Sequence, residues 1–185
     1  MKLKISGVDK VVSNLDIFVR KNGQMVSRAM NEVHTPSYTK ASKATRDNFN
    51  IKASDLRRKD SVKRANSKNL KLIFSLKTHS IPLLEFTGRN NGVRKSGISY
   101  KVDKKKKFKV FKGAFINTSI KRHSDYVLVR RDDKRYPIVP LTVMTPSTMF
   151  IKSGADKVYI ETFKDNFEKR YLHSISYITE KTLKK

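Results

Sequence analysis

Residues 108–150 constrain the fold of this chain more than any other stretch, because they combine apolar alternation with a turn and three prolines. The run at residues 127–130 alternates as a β-strand does, and the alternation resumes after polar residues 132–134. This pattern predicts an antiparallel hairpin. Pro137 and Pro140 cannot donate hydrogen bonds to a neighbouring strand, so we expect the second arm of the hairpin at the edge of a sheet.

Long helices are predicted at both ends of the chain. Apolar residues recur at spacings of three or four over residues 8–34, which predicts one long amphipathic helix to about residue 34, with the Asn-Gly pair at residues 22–23 as a point where it can kink. A Thr-Pro pair at residues 35–36 predicts a restart, followed by further helix over residues 37–48. The same spacing returns over residues 154–185 and predicts a C-terminal helix docked on the sheet.

An aromatic stripe runs along this C-terminal helix. Its rings recur every four residues. Such a stripe on a helix is expected to belong to the core, whereas rings that stack on nucleic-acid bases are expected on exposed strands. The aromatic residues concerned are Tyr159, Phe163, Phe167 and Tyr171.

Two short helices are predicted from their starting residues. Thr145 is a preferred N-cap residue and is followed by Pro146, which is favoured at the first helical position. Ser54 followed by Asp55 gives a second start of this type. We expect the helix after Ser54 to be short and basic, and residues 60–69 beyond it to form a loop.

The remaining strands are predicted between residues 70 and 116. Residues 70–76 alternate between apolar and other side chains, which is the clearest strand pattern in the chain. Residues 97–102 and 108–116 predict a second hairpin. Residues 103–107 form its turn and carry four adjacent lysines.

Together these elements predict an α+β fold, in which an antiparallel sheet of about four or five strands is flanked by the long N-terminal helix and the C-terminal helix. A length of 185 residues and a hydrophobic content of 37% suit one domain over residues 1–185. Within it we expect a largely helical region at residues 1–59, the sheet at residues 70–145 and a C-terminal helical region at residues 146–185. No apolar run reaches the roughly 18 residues of a membrane helix, and the N-terminus lacks a secretory pattern. We therefore expect a soluble protein made in a cytoplasm.

Charge is the outstanding feature of the composition. The chain has 42 Lys and Arg against 16 Asp and Glu, a formal net charge of +26. Such a surface repels itself, which predicts an anionic partner: nucleic acid, an acidic protein surface or lipid head groups. The alternative is that the lysines only maintain solubility. The excess of lysine over arginine suits diffuse attraction better than the reading of base edges.

The candidate contacts with DNA or an acidic partner are the basic residues of the short helix and of the two hairpin turns. For each group the alternative is an ordinary solvated helix face, or a charged turn that discourages edge pairing. The candidates are Arg57, Arg58, Lys104, Lys105, Lys106, Lys107, Arg130, Arg131, Lys134 and Arg135.

No catalytic, cofactor-binding or metal site is predicted, and we expect a protein without enzymatic activity. There is no cysteine, and no phosphate-binding glycine motif is present. Asp132 and Asp133 lie where aspartate is ordinary turn chemistry. Residues 123–125 read His-Ser-Asp, but neighbours in sequence rarely form a triad. The four histidines are far apart and have no metal-ligand spacing: His34, His79, His123 and His173.

Four short segments, in their order along the chain, resemble the prophage minor tail protein Z family. They read IPLLEF at residues 81–86, KGAFI at 112–116, PIVPL at 137–141 and TPSTMF at 145–150. The basic stretch at residues 50–64 also resembles the basic region of that family. The resemblance extends over roughly residues 25–180, although lysine stands here where arginine is common in the family.

The resemblance implies a non-enzymatic structural protein of the virion of a long-tailed phage. Such a protein acts in tail completion and head–tail joining at the head-proximal end of the tail. It works as a homo-oligomeric ring around the DNA channel, beside tail terminator, connector or head-completion proteins. Contacts with packaged DNA would be non-specific, and no membrane partner is implied. Charge alone also fits a free nucleic-acid-binding protein of ribosomal or nucleoid type, whose monomer would bind with a steep salt dependence.

Overall fold

The computed structural model describes residues 8–57, 60–76, 79–87, 93–94, 96–116, 126–131 and 135–183. The α+β class is confirmed, with a long helix near the N-terminus and another near the C-terminus. The helices are α1 (Val8–Asn48), α2 (Ala53–Arg57), α3 (Pro146–Lys152) and α4 (Ala155–Leu183), with a 3₁₀ turn at Leu83–Phe86. The strands are β1 (Asp60–Lys63), β2 (Ile73–Leu76), β3 (Val93–Arg94), β4 (Gly97–Tyr100), β5 (Lys109–Lys112), β6 (Phe115–Ile116), β7 (Val127–Arg130) and β8 (Ile138–Pro140).

The strands form three small sheets where the sequence predicted a single larger one. Their orders are β1-β2, β3-β4-β5 and β6-β7-β8. The second hairpin is confirmed, with Tyr100 opposite Lys109 and Gly97 opposite Lys112. Its second arm, predicted over residues 108–116, is interrupted because Gly113 has a φ of +70°. The chain turns there, and β6 pairs with β7 of another sheet.

The hairpin predicted from residues 127–130 is confirmed. Strands β7 and β8 are antiparallel, with Val129 opposite Val139 and Leu128 opposite Pro140. Strand β8 lies at the edge of its sheet, as predicted from Pro137, just before it, and Pro140, at its end. Thr145 is the N-cap of α3, and its side chain accepts a hydrogen bond from the backbone N–H of Thr148.

Helix α1 is continuous through residues 22–23, as predicted, and it also continues through Pro36, where a restart was predicted. At Gly23 an added Cβ would lie 2.9 Å from the carbonyl oxygen of Ser67, so this glycine permits close approach of another segment. Pro36 is exposed within the helix. Close by, the Ser37 hydroxyl donates to the Val33 carbonyl at 2.9 Å.

Two local predictions between the helices were wrong. Ser54 is the second residue of α2 and does not cap it. Asp60–Lys63 forms a strand within the predicted loop. Its sequence, DSVK, contains one apolar residue, so it lacks the alternation of apolar and polar side chains that predicts a strand.

The described residues form two compact units, each assembled from separated segments. The first draws on Met1–Lys40, Val62–Ser75 and Val158–Lys185, and the second on Ala41–Ser61 and Leu76–Lys157. In the part of the chain that the structure describes, no helix has the length and apolarity needed to cross a membrane.

Aromatic rings hold the first unit together. Phe74 of β2 lies 5.2 Å from the ring of Tyr159 and 5.5 Å from that of His34. The Tyr171 hydroxyl donates to the side chain of Asn22 at 3.0 Å. Helix α4 therefore packs on α1 and β2, where the sequence predicted docking on a sheet alone. The rings of its aromatic stripe stack on one another and are half-buried.

The second unit contains two hydrophobic clusters. One consists of Phe49, Ile51, Leu56, Ile81, Phe86 and Met149. The other consists of Leu83, Ile98, Ala114 and Val127. Val143 packs against both clusters, so the two form one continuous interior.

Candidate functional site: a lysine cleft

A cleft of about 590 Å³ opens in the second unit, next to the connection between β4 and β5. Its lining joins the end of α1, the β4–β5 turn, the segment before α3 and the end of α3. Six lysines line it: Lys101, Lys105, Lys106, Lys107, Lys109 and Lys152. The other lining residues are Asn48, Phe49, Tyr100, Val102, Asp103, Val143 and Met144. We call this feature the lysine cleft.

Backbone hydrogen bonds fix the lysine-bearing turn to the end of α1. The N–H of Lys104 donates to the carbonyl of Asn48 at 2.9 Å, and the N–H of Asn50 donates to the carbonyl of Val102 at 2.8 Å. Phe49 and Asp103 form an antiparallel bridge between the same two segments. The positions of the lysine backbones are therefore set by the fold, while their side chains extend into solvent.

Asp103 shapes the turn itself. Its Oδ1 accepts a hydrogen bond from the N–H of Lys105 at 2.9 Å, which is the usual way in which aspartate stabilises a turn two residues ahead. Its carbonyl accepts from the N–H of Lys106 at 3.2 Å. Its Oδ2 lies 3.7 Å from Nζ of Lys106.

Positive charge in the lysine cleft is largely uncompensated. Asp103 is the one carboxylate among the lining residues. It pairs with Lys106 at 3.7 Å, and the side chain of Lys106 is largely exposed. The ammonium group of Lys101 lies 5.5 Å from the centre of the Phe108 ring, which attracts cations without neutralising them. Among the described residues, no ion pair reaches the other lysines of the cleft.

The structure brings together only some of the basic residues that the sequence singled out. Lys105, Lys106 and Lys107 line the cleft. Lys104 does not, although it is exposed on the same turn. Arg57 is exposed at the end of α2. Arg58 and Lys134 lie outside the described residues.

The arginines near the β7–β8 hairpin occupy a different place. Arg130 lies 5.5 Å from the centre of the Phe115 ring, and Arg135 lies 5.9 Å from that of Tyr136. Arg131 is exposed, and its backbone N–H donates to the Pro137 carbonyl. None of the three lines the lysine cleft, so the predicted contacts form at least two separate basic surfaces.

Three residues of the cleft were missed by sequence reasoning. Lys101 and Lys109 flank the predicted turn. A prediction that extended the basic site from the turn into both arms of the hairpin would have included them. Lys152 comes from the last turn of α3, and nothing in the local sequence connects it with residues 101–109.

The cleft combines lysine ammonium groups with an apolar wall. Phe49 is buried, while Tyr100, Val102, Val143 and Met144 are half-buried. Lysine attracts phosphate or carboxylate as a point charge, without the directional fork of arginine. Within the described ranges, no group of three His, Asp or Glu side chains is placed to hold a metal ion.

Comparison of the chain with protein-family models, with curated proteins and with solved structures gave no match.

Proposed function

We propose that this chain is a structural protein of the virion of a long-tailed phage. It acts in tail completion and head–tail joining at the head-proximal end of the tail, as one subunit of a ring around the DNA channel. The observation that carries the proposal is the ordered set of four family-like segments, together with the part that these segments play in the second unit.

The four segments supply much of the interior of that unit. Ile81 and Phe86 of the first segment and Met149 of the last belong to one hydrophobic cluster. Leu83 and Ala114 belong to the other, against which Leu141 of the third segment packs. The resemblance therefore concerns residues that hold together the body carrying the lysine cleft.

The chemistry of the lysine cleft supports a positional role. Six lysines and one aspartate attract a phosphate backbone or an acidic protein surface without selecting a base sequence. Lysine charges repeated around a ring would keep DNA near the axis while allowing it to slide. Apart from the cleft, Arg130, Arg131 and Arg135 offer a second basic surface for neighbouring tail and neck proteins.

The competing function is that of a free nucleic-acid-binding protein. It is favoured by the concentration of lysines next to a half-buried aromatic ring, Tyr100, within one monomer. The two functions differ in what the isolated chain does. A free binding protein would bind duplex DNA or RNA as a monomer, whereas a ring subunit would bind weakly until assembled.

Deleting the gene from the prophage that carries it tests the proposal. After induction, electron microscopy should show filled heads and tails that are not joined, and expression of the wild-type chain in trans should restore complete particles. Normal infectious particles from the deletion strain would refute the proposal.

Complementation with a variant then tests the lysine cleft. Replacing Lys105, Lys106 and Lys107 by alanine should leave the circular dichroism spectrum unchanged and reduce the yield of joined particles. The matched control replaces three exposed lysines outside the cleft, Lys43, Lys52 and Lys157, by alanine. Equal yields from the two variants would remove the cleft from the mechanism while leaving the deletion result intact.

A further inference from the structure

Within the described ranges, strand β5 is an edge strand of its sheet. Its sheet has the order β3-β4-β5, and no strand in the described ranges pairs with β5 on the side away from β4. All four of its residues, Lys109–Lys112, are exposed. In an antiparallel pair, alternate residues of an edge strand direct their N–H and C=O groups outward, where another strand can bind them.

Apolar side chains are exposed along this edge. Phe108 is 57% exposed, Val110 40% and Phe111 37%. Side chains exposed to this extent can contact a partner. Lys107, Lys109 and Lys112 stand among them and are exposed too. Because successive side chains of a strand point to opposite faces, Lys109 and Phe111 share one face of β5, and Val110 and Lys112 share the other. Clustered exposed apolar groups on a soluble protein commonly mark an interaction site.

Charge decides what kind of strand fits. The β5 edge of a second copy would place lysines against Lys109 and Lys112, and like charges directly opposite one another destabilise a strand pair. The same lysines attract carboxylates. A phosphate backbone would also be attracted to these charges. It would not form strand pairing with the unpaired peptide groups, however, or cover the exposed apolar side chains.

We propose that β5 binds an extended acidic segment of another protein, which adds as a fourth strand to the β3-β4-β5 sheet. The main chain of that segment pairs with the open edge of β5. Its apolar side chains cover Val110 and Phe111, and its carboxylates pair with Lys109 and Lys112. Strand addition of this kind draws affinity from main-chain hydrogen bonds and specificity from alternate side chains. The inference goes beyond the proposed function, because it requires neither a ring nor DNA.

The fold limits the docking edge to a short length. At one end, Gly113 turns the chain with a φ of +70°, and the N–H of Ala114 donates to the Phe111 carbonyl at 3.4 Å. At the other end, the strand begins just after the lysine turn. The partner segment therefore pairs along the four residues of β5, next to the lysine cleft.

Synthetic peptides test the main-chain part of this inference. The probe is a fluorescein-labelled octapeptide in which Glu-Glu-Val-Val is repeated twice, so that each face of the bound strand carries both residue types. Two further peptides carry N-methyl groups on one or the other alternate set of backbone nitrogens. We expect saturable binding of the unmodified probe by fluorescence anisotropy, with slower amide exchange at residues 109–112. At least one methylated peptide should bind about tenfold more weakly, because it lacks the N–H groups that face β5.

Variants of the chain test the charge part. Replacing Lys109 and Lys112 by glutamate should weaken probe binding by at least about tenfold. The matched control replaces Lys43 and Lys157, two exposed lysines of the same unit, and so makes the same change in net charge. It should bind the probe nearly as tightly as the wild-type chain.

Three results would overturn the inference. One is an absence of probe binding at low salt. Another is equal affinity for all three peptides, which would show that charge alone holds them. The third is an oligonucleotide of the same charge that protects residues 109–112 from exchange and displaces the probe, which would assign the edge to nucleic acid. None of these results bears on the deletion experiment, so the proposed function is judged separately.

Discussion

Gly97 sets the spacing between β4 and β5. Its φ is +141°, a conformation that side-chain-bearing residues rarely adopt, and an added Cβ would collide with the backbone carbonyl oxygen of Phe111. We predict that Gly97→Ala destabilises the chain by about 2 kcal/mol, from backbone strain together with displacement of β5. The free energy of unfolding in urea measures the change.

Gly113→Ala is the matched control for that substitution. Gly113 also has a positive φ, of +70°, but nothing lies within 4 Å of the added Cβ. Its cost should be limited to backbone strain, about 1 kcal/mol. A loss of stability for Gly97→Ala no larger than that for Gly113→Ala would contradict the predicted collision.

Tyr159 gives a prediction at high pH. Burial raises its pKa to about 12, and its hydroxyl lies 2.8 Å from Nδ1 of His34. We expect one tyrosine to ionise near pH 12 in absorbance titrations at tyrosinate wavelengths, and Tyr159→Phe to remove that late component. A wild-type titration with no such component would contradict the assignment.

The same pKa fixes the sign of the effect on stability. In the unfolded chain tyrosine ionises near pH 10, so between pH 10 and 12 the unfolded state binds fewer protons than the folded state. The contribution of Tyr159 is thus fully present below pH 10 and is lost as the pH rises through 12. The stability difference between wild type and Tyr159→Phe should shrink over this range; a constant difference would count against the shift.

At the scale of elements, two neighbouring apolar residues of strand β2 differ in their burial. Phe74 packs against the rings of His34, Tyr38 and Tyr159, while Ile73 is 49% exposed. We predict that Phe74→Ala costs about 2 kcal/mol, less than truncation of a fully buried ring because Phe74 is only half-buried. Ile73→Ala should change stability by less than about 0.5 kcal/mol. Thermal unfolding followed by circular dichroism compares the two, and similar melting temperatures would contradict the packing role of Phe74.

The elements that could be predicted are those specified by residues close together in the sequence. Helical spacing identified α1 and α4, and the cap and proline at residues 145–146 identified α3. Alternation identified both hairpins. The single helix predicted across residues 22–23 is confirmed. The restart predicted at Pro36 was wrong because tertiary packing outweighs local helix propensity.

The division into three sheets could not be predicted from the same patterns. Which strands pair depends on contacts between distant segments, and the turn at Gly113 decides it for β6. Sequence placed three of the cleft lysines together because they are adjacent in the chain. Lys152 entered the cleft through folding alone.

For the whole molecule, the charge of the lysine cleft predicts a measurable salt dependence. Each lysine that neutralises a phosphate contributes about one unit to the slope of log affinity against log salt for duplex DNA. Replacing Lys105 and Lys107 by alanine should therefore lower the slope by about two, measured at low salt where binding by the isolated chain is detectable. The control Lys43→Ala with Lys157→Ala makes the same change in net charge and should leave the slope nearly unchanged. Equal changes for the two variants would show that only total charge matters.

The segmented construction of the two units has a consequence for any attempt to divide the chain. Residues 76–157 are the longest continuous part of the second unit, yet a fragment of that extent lacks Phe49, Ile51 and Leu56 from its interior. A fragment that contains every part of the second unit extends over residues 41–157, and it carries Val62–Ser75 of the first unit with it. The lysine cleft and the β5 edge are thus inherited, exchanged or lost together, and the shortest continuous piece that carries both with their whole unit is residues 41–157.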